Sequence, residues 1–182
     1  MILKAIEQLC KHSKIIVLLE TEYEQWISDG YAIYPLIKMP KLTEETISTV
    51  LNIPEDKKKK YTIRVEEMPK SYCIEDIADH ERQIEKKWFQ IEESIPLQTS
   101  QGVQFIQSRF LKLVSDIEQM SLWERSTEAG HTYFVVKDGM MIRAIILPHR
   151  ILSKTMVENL QQLANQCQMT LDNQTKEMDD NE

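Results

Sequence analysis

Short apolar runs alternate with turn residues along most of this chain, and the clearest case lies between His131 and Cys167. Thr132 to Lys137 and Met140 to Leu147 are β-rich and apolar, and the Asp138-Gly139 pair between them suits a two-residue type I′ hairpin, whose two positive φ angles favour Gly. Pro148 then removes a backbone donor and ends the second strand, and Ser153 is placed to cap a helix. Met156, Val157, Leu160, Leu163, Ala164 and Cys167 follow at helical spacing, so the pattern predicts one apolar helix face lying against one hairpin. The same order occurs earlier. Gln25 to Ser28, Asp29-Gly30, Tyr31 to Tyr34 and Pro35 repeat the hairpin signal, and Thr43 can cap a helix that opens with Glu44 and Glu45 and buries Ile47, Val50 and Leu51.

Elsewhere the pattern is looser. Apolar residues at 2, 3, 6, 9 and 10 predict a short amphipathic helix over Ile2 to Cys10, and Ile15 to Glu20 reads as a strand buried on both faces. Ile95 to Gln98, a turn through Gly102, Val103 to Ile106 and Phe110 to Ile117 give a third strand-turn-strand-helix. Val103, Ile106, Phe110, Leu113 and Ile117 also fit one continuous helix; a helix starting near Ser108 is preferred. Pro54 to Lys60 reads as a helical turn, Tyr61 to Val65 as a strand, and Ile74 to about Lys87 as a solvated helix. The fold expected is α+β, with antiparallel β-hairpins and packed helices in two lobes related by a loose ββα duplication. The lobes would span residues 1–70 and 71–171, followed by a disordered acidic tail over 172–182.

Composition narrows the function classes. A chain of 182 residues that is 42% hydrophobic can build a globular core. Its longest apolar run, Ile15 to Leu19, is far short of the roughly 20 residues that cross a bilayer, and no secretory leader pattern opens the chain, so no membrane role and a cytoplasmic location are expected. Cys10, Cys73 and Cys167 are too few and too scattered for a disulfide framework or a zinc site. A net charge of −7 argues against direct DNA binding, which depends on cationic neutralisation of phosphate, and permits a basic protein partner, against the equal reading that the charge only maintains solubility.

Chemistry-bearing motifs are sparse. His12, His80, His131 and His149 show no ligand spacing; Asp79-His80-Glu81 is the one local cluster, and adjacent helical residues diverge by about 100°. No G-x-S-x-G and no glycine-rich phosphate loop occurs, and Cys10 and His12 would point apart on a helix. No metal, cofactor or catalytic residue is therefore assigned, although a carboxylate site would leave no local signature. Lys57 to Lys60 with Tyr61 could contact nucleic acid, but a solvated lysine run explains them more simply. The acidic stretch from Glu75 to Glu93 contains Trp88 and Phe89, and aromatic rings among carboxylates suit a basic, partly apolar groove. Glu75, Asp76, Asp79, Glu81, Glu85 and Trp88 are the partner-binding candidates, against the reading that Trp88 and Phe89 belong to an edge strand.

Three strings, YAIYPLIKMPKLTEETISTVLNIPEDKKKKY, TSQGVQFIQSRFLKLVSD and TYFVVKDGMMIRAIILPHRI, resemble a family of small proteins carried by phages and other mobile elements of gut Firmicutes. Within it, the chain from about residue 2 to residue 168 is similar to an anti-CRISPR family directed at type II systems. That resemblance implies a non-enzymatic inhibitor that binds a type II CRISPR effector nuclease with its guide RNA and blocks DNA binding or cleavage. It transfers no site residues. The alternative is a phage regulatory or DNA-associated accessory protein acting through Lys57 to Lys60 as a homodimer, and a third reading is an enzyme with an unrecognised carboxylate site.

Overall fold

The computed structural model describes residues 2–85 and 90–179. It divides into a compact unit that ends at His149 and a second that begins at Arg150. In the first unit, α1 (Ile2–Ser13) leads into β1 (Ile15–Glu20), β2 (Gln25–Ser28) and β3 (Ala32–Pro35), followed by α2 (Glu44–Val50), α3 (Glu55–Lys58) and β4 (Thr62–Glu67). Then come β5 (Arg82–Ile84), the hairpin β6 (Ser94–Thr99) and β7 (Gly102–Gln107), α4 (Ser108–Lys112), and the strands β8 (Met120–Ser126), β9 (Thr132–Asp138) and β10 (Met141–Ile146). The second unit is one helix, α5 (Lys154–Asp179). The architecture is α+β.

Eight strands form one sheet in the order β4-β1-β2-β3-β10-β9-β8-β5, antiparallel except for the β1–β4 pair, and β6 and β7 pair separately. Two copies of a helix and a three-stranded meander, α1-β1-β2-β3 and α4-β8-β9-β10, meet where β3 pairs with β10 (Ile33 opposite Ile145, Ala32 opposite Ile146). Strand alternation sends Ile16, Leu18, Phe134 and Val136 to one face, where α1, α2, α4 and the β6–β7 hairpin cover them. Leu19, Trp26, Ile33, Tyr133, Val135 and Ile145 form a smaller core on the other face, joined by Met68, Tyr72 and Ile74 from the connection between β4 and β5.

Local signals explain most elements. Thr43 caps α2: its Oγ1 accepts from the Thr46 amide at 3.3 Å while its own N–H donates to Thr46 Oγ1 at 2.7 Å, so Thr fills the place usually held by Glu in a capping box. Ser153 caps α5 through the Met156 amide at 3.1 Å. The β9–β10 turn is slipped by one residue from the sequence expectation. Asp138 pairs with Met141, so the loop residues are Gly139 and Met140, and only Gly139 has positive φ, at 59°. Glycine first and a negative φ second is the type II′ pattern, which serves strand twist as well as type I′ does.

Other expectations are overturned. The division near residues 67–71 separates no compact units, because β3 and β10 join both halves in one sheet. The described part of the helix expected from Ile74 to about Lys87 is not helical: residues 74–81 run as irregular chain into β5, held by ion pairs described below, and Lys86 and Lys87 lie outside the described residues. The supposed tail from 172 is helical through Asp179. In the second unit Val157 and Leu163 of the expected apolar helix face are 42% and 56% exposed.

Phe134 sits fully buried at the centre of the larger core. Phe134→Ala should destabilise the first unit by about 3–5 kcal/mol, read as a lower urea midpoint at unchanged slope; a loss below about 1 kcal/mol would mean that β9 is not the centre of the core.

Candidate partner-binding surface

Two Glu-Arg dipeptides, Glu81-Arg82 and Glu124-Arg125, fix the edge of the sheet. Antiparallel pairing sets Arg82 opposite Glu124, which leaves Glu81 alongside Arg125, and side-chain alternation sends the two pairs to opposite faces. On one face Glu124, 4% exposed, accepts from Arg82 Nε at 2.9 Å and Nη2 at 2.7 Å, and from the Ser100 amide and hydroxyl at 2.9 and 2.5 Å. The β6–β7 turn is thereby tied to the sheet. Burial works to raise the Glu124 pKa, but the hydrogen bonds from Ser100 and Arg82 outweigh it and hold the carboxyl below the usual glutamate range.

On the other face Glu81 Oε2 accepts from Arg125 Nε and Nη2 at 2.9 and 2.6 Å, and Oε1 from Lys137 Nζ at 2.6 Å. Arg125 and Lys137 are 2% and 3% exposed. Their remaining donors go to backbone carbonyls, Arg125 Nη1 to Cys73 at 2.8 Å and Lys137 Nζ to Asp76 at 2.6 Å. Lys137 Nζ also stands 4.6 Å from the centre of the Trp123 ring. The loop is stitched down further by Tyr133 Oη, which accepts from the Cys73 amide at 3.0 Å, and by Asp76 Oδ1, which accepts from the Ile142 amide at 3.3 Å. For Glu81 too, burial pushes the pKa up, and the hydrogen bonds and charges of Lys137 and Arg125 win, leaving it lowered.

These contacts sort the sequence candidates. Glu81 is turned inward, its side chain 10% exposed, and serves the buried cations. Asp76 is exposed, yet its Oδ1 and its carbonyl are both engaged. Glu75 and Asp79 project to solvent from the loop that Asp76 and Glu81 pin down, and Glu85 follows β5 in an exposed position. Trp88, with Phe89, lies outside the described residues.

An aromatic among carboxylates does occur elsewhere, in the β1–β2 turn, which sequence reasoning passed over. Tyr23 is 86% exposed between exposed Glu22 and Glu24. The turn is rigid: the Thr21 amide and hydroxyl donate to the Glu24 carbonyl at 2.9 and 3.0 Å, and the Glu24 amide donates to Thr21 Oγ1 at 2.9 Å. A cleft of about 510 Å³ separates this turn from the segment after β4, with Glu20, Glu22 and Glu67 on its walls, Met68, Tyr72 and Ile74 among its apolar lining, and Lys70 as its one cation. Glu20 is paired with Lys41 at 2.8 Å. The loop carrying Glu75 and Asp79 continues from Ile74 across the sheet, where Asp76 is hydrogen-bonded to Lys137 of β9 and Ile142 of β10, so the turn and the loop display their carboxylates at different strands.

A second cleft of about 730 Å³ opens on the other side of β3. Its floor is Ile6, Leu113 and Val114, and half-exposed Ile37 and exposed Asp116 and Glu118 stand at its rim. This is the size of a small-molecule or peptide-anchor site. Lys58 is paired with Glu55 at 2.5 Å, and the Tyr61 ring carries Lys14 Nζ at 4.8 Å from its centre, so the lysine run offers less free charge and aromatic surface than its sequence suggests.

Among the described residues no three His, Cys, Asp or Glu side chains gather as a ligand set, and Asp79-His80-Glu81 is broken by the commitment of Glu81 to Arg125 and Lys137. Burial, with some help from the Asp29 charge, pushes the Cys10 thiol up to about 12, so it stays protonated at neutral pH. Among the described residues no helix is long and apolar enough to cross a membrane. No family model, no curated protein and no solved structure matches this chain.

Glu81→Gln leaves two buried cations short of their counter-charge and should cost about 3 kcal/mol at neutral pH. A carboxyl whose folded pKa is depressed stabilises the fold above its unfolded pKa, about 4.3 for Glu, and that contribution is lost as the pH falls through the lowered folded value. The wild type should therefore lose its advantage over Glu81→Gln progressively below about pH 4.3. Parallel denaturation curves of both proteins from neutral to acid pH measure this; a constant difference would show that the Glu81 charge does not hold the loop.

Proposed function

We propose that this chain is a non-enzymatic inhibitor that binds a type II RNA-guided effector nuclease and keeps it from engaging or cutting DNA. The partner is the one that the family resemblance implies. The observation that carries the binding reading is the display of exposed carboxylates on fixed backbone: Tyr23 stands almost fully exposed between Glu22 and Glu24 in the β1–β2 turn, and Glu75 and Asp79 are exposed on the loop pinned to the sheet. Such an effector has a positively charged channel and arginines that read the motif beside the target. Carboxylates on a rigid support compete there with DNA phosphates and speed encounter, while one aromatic ring supplies a desolvated anchor. Rigidity matters because groups already ordered before binding lose less entropy in the complex.

Replacing Glu22, Glu24, Glu75 and Asp79 with Gln or Asn should slow association and flatten its salt dependence, whereas Tyr23→Ala should speed dissociation and weaken binding by about tenfold or more. Asp76 and Glu81 are left intact because they hold the loop. Both variants are measured by co-elution with guide-loaded effectors from several type II systems and by inhibition of target cleavage. Undiminished inhibition by both would sink the proposal, as would no binding of the parent to any effector. Steep, salt-dependent binding of duplex DNA by the free chain would favour the accessory-protein reading instead.

A further inference from the structure

We propose that α5 is a dimerisation element that pairs in parallel with α5 of a second copy of this chain. A helix of 26 residues whose side chains from Lys154 to Thr175 are almost all exposed has little to hold it together, since isolated helices are marginal in water and draw their stability from packing of an apolar face. The apolar face is present. Val157, Leu160, Ala164, Cys167 and Leu171 follow one another at alternating steps of three and four, the a and d positions of successive heptads, with Met156 and Leu163 at the flanking g positions. Met169 alone among the apolar residues of this stretch falls on the far side, at f.

Period, length and charge select the occupant. A seam with this repeat is complementary to another helix of the same repeat, which a flat or irregular surface does not match. The other described helices run to 12 residues at most, and the longest, α1, already buries Ile6, Leu9 and Cys10 in the core. From Asn159 to Leu171 no charged residue occurs, in a chain that is 28% charged, and Gln and Asn flank the seam instead. Two copies of an acidic protein can approach along such a segment without repulsion, and a charged partner would find nothing there to pair with. Val at a followed by Leu at d is the combination that favours two parallel strands.

Parallel pairing in register sets Cys167 opposite its counterpart at a d position, and Cys167 is exposed and free in the single chain. A disulfide needs Cα atoms about 4.4–6.8 Å apart, which facing d residues satisfy and an antiparallel pair, with Cys167 opposite a different residue, does not. The test uses the full chain carrying Cys73→Ser; Cys10 is buried. Light scattering on the size-exclusion peak should give twice the 21.4 kDa of one chain. Diamide should then join the two Cys167 thiols, which give up two protons and two electrons to the oxidant as the S–S bond forms. Leu160→Glu with Leu171→Glu should return a single-chain mass and abolish cross-linking, with the urea transition of the first unit unchanged. A single-chain mass at every concentration up to about 100 μM overturns the proposal, including the case where α5 resists hydrogen exchange because it lies against its own chain. So does a dimer that survives both glutamates, or one that diamide fails to cross-link.

Discussion

The edge of the sheet depends on two reciprocal ion pairs. Glu81-Arg82 meets Glu124-Arg125 across the β5–β8 ladder, one pair on each face, and between them they tie down three otherwise separate pieces: a three-residue edge strand, the β6–β7 turn at Ser100 and the loop from Cys73 to Glu81. So short a strand has few ladder bonds of its own. A slip of one residue would put each Glu on the wrong face, away from its Arg and against apolar neighbours, and leave Arg125 and Lys137 buried without a counter-charge. The pairs therefore set register before they add stability.

That constraint reaches the exposed acidic loop. Because Arg125 and Lys137 draw the carbonyls of Cys73 and Asp76 onto the sheet, the backbone between those anchors is fixed, with Ile74 packed against the smaller core and Glu75 exposed. Among the described residues the fully buried charges cancel, Arg125 and Lys137 against Glu124 and Asp29, so burial leaves the acidic balance of the chain on its accessible surface.

Legibility in the sequence followed the range of the interactions. Both Asp-Gly hairpins, the Thr43 and Ser153 caps, and the strands β1 and β2 were readable because each rests on residues within a few positions of one another. The type of the β9–β10 turn was not, since Asp-Gly suits both registers of a two-residue loop and the pairing of Asp138 with Met141 decides between them. β5 was hidden because Glu81 and Arg82 among so many charges read as a solvated helix, and their partners are more than 40 residues away. The recurrence of Glu-Arg at 81 and 124 was the available signal, though only strand pairing gives it meaning. For the same reason no local rule separates Glu75, which faces water, from Glu81, which does not.

Tyr23 illustrates a different limit. A lone tyrosine between two glutamates carries no periodicity, and an exposed aromatic becomes informative only when its support is seen to be rigid. Thr21 supplies that support by closing the turn from both its amide and its hydroxyl, and this holds the ring out where a mobile loop would let it fold back onto the apolar lining of the neighbouring cleft. Exposing a large ring in a fixed position forgoes about 1.5–3 kcal/mol of burial that the free protein could otherwise gain. A fold that keeps the turn closed in this way stores that contribution for a partner, and the surrounding carboxylates restrict which partners can collect it.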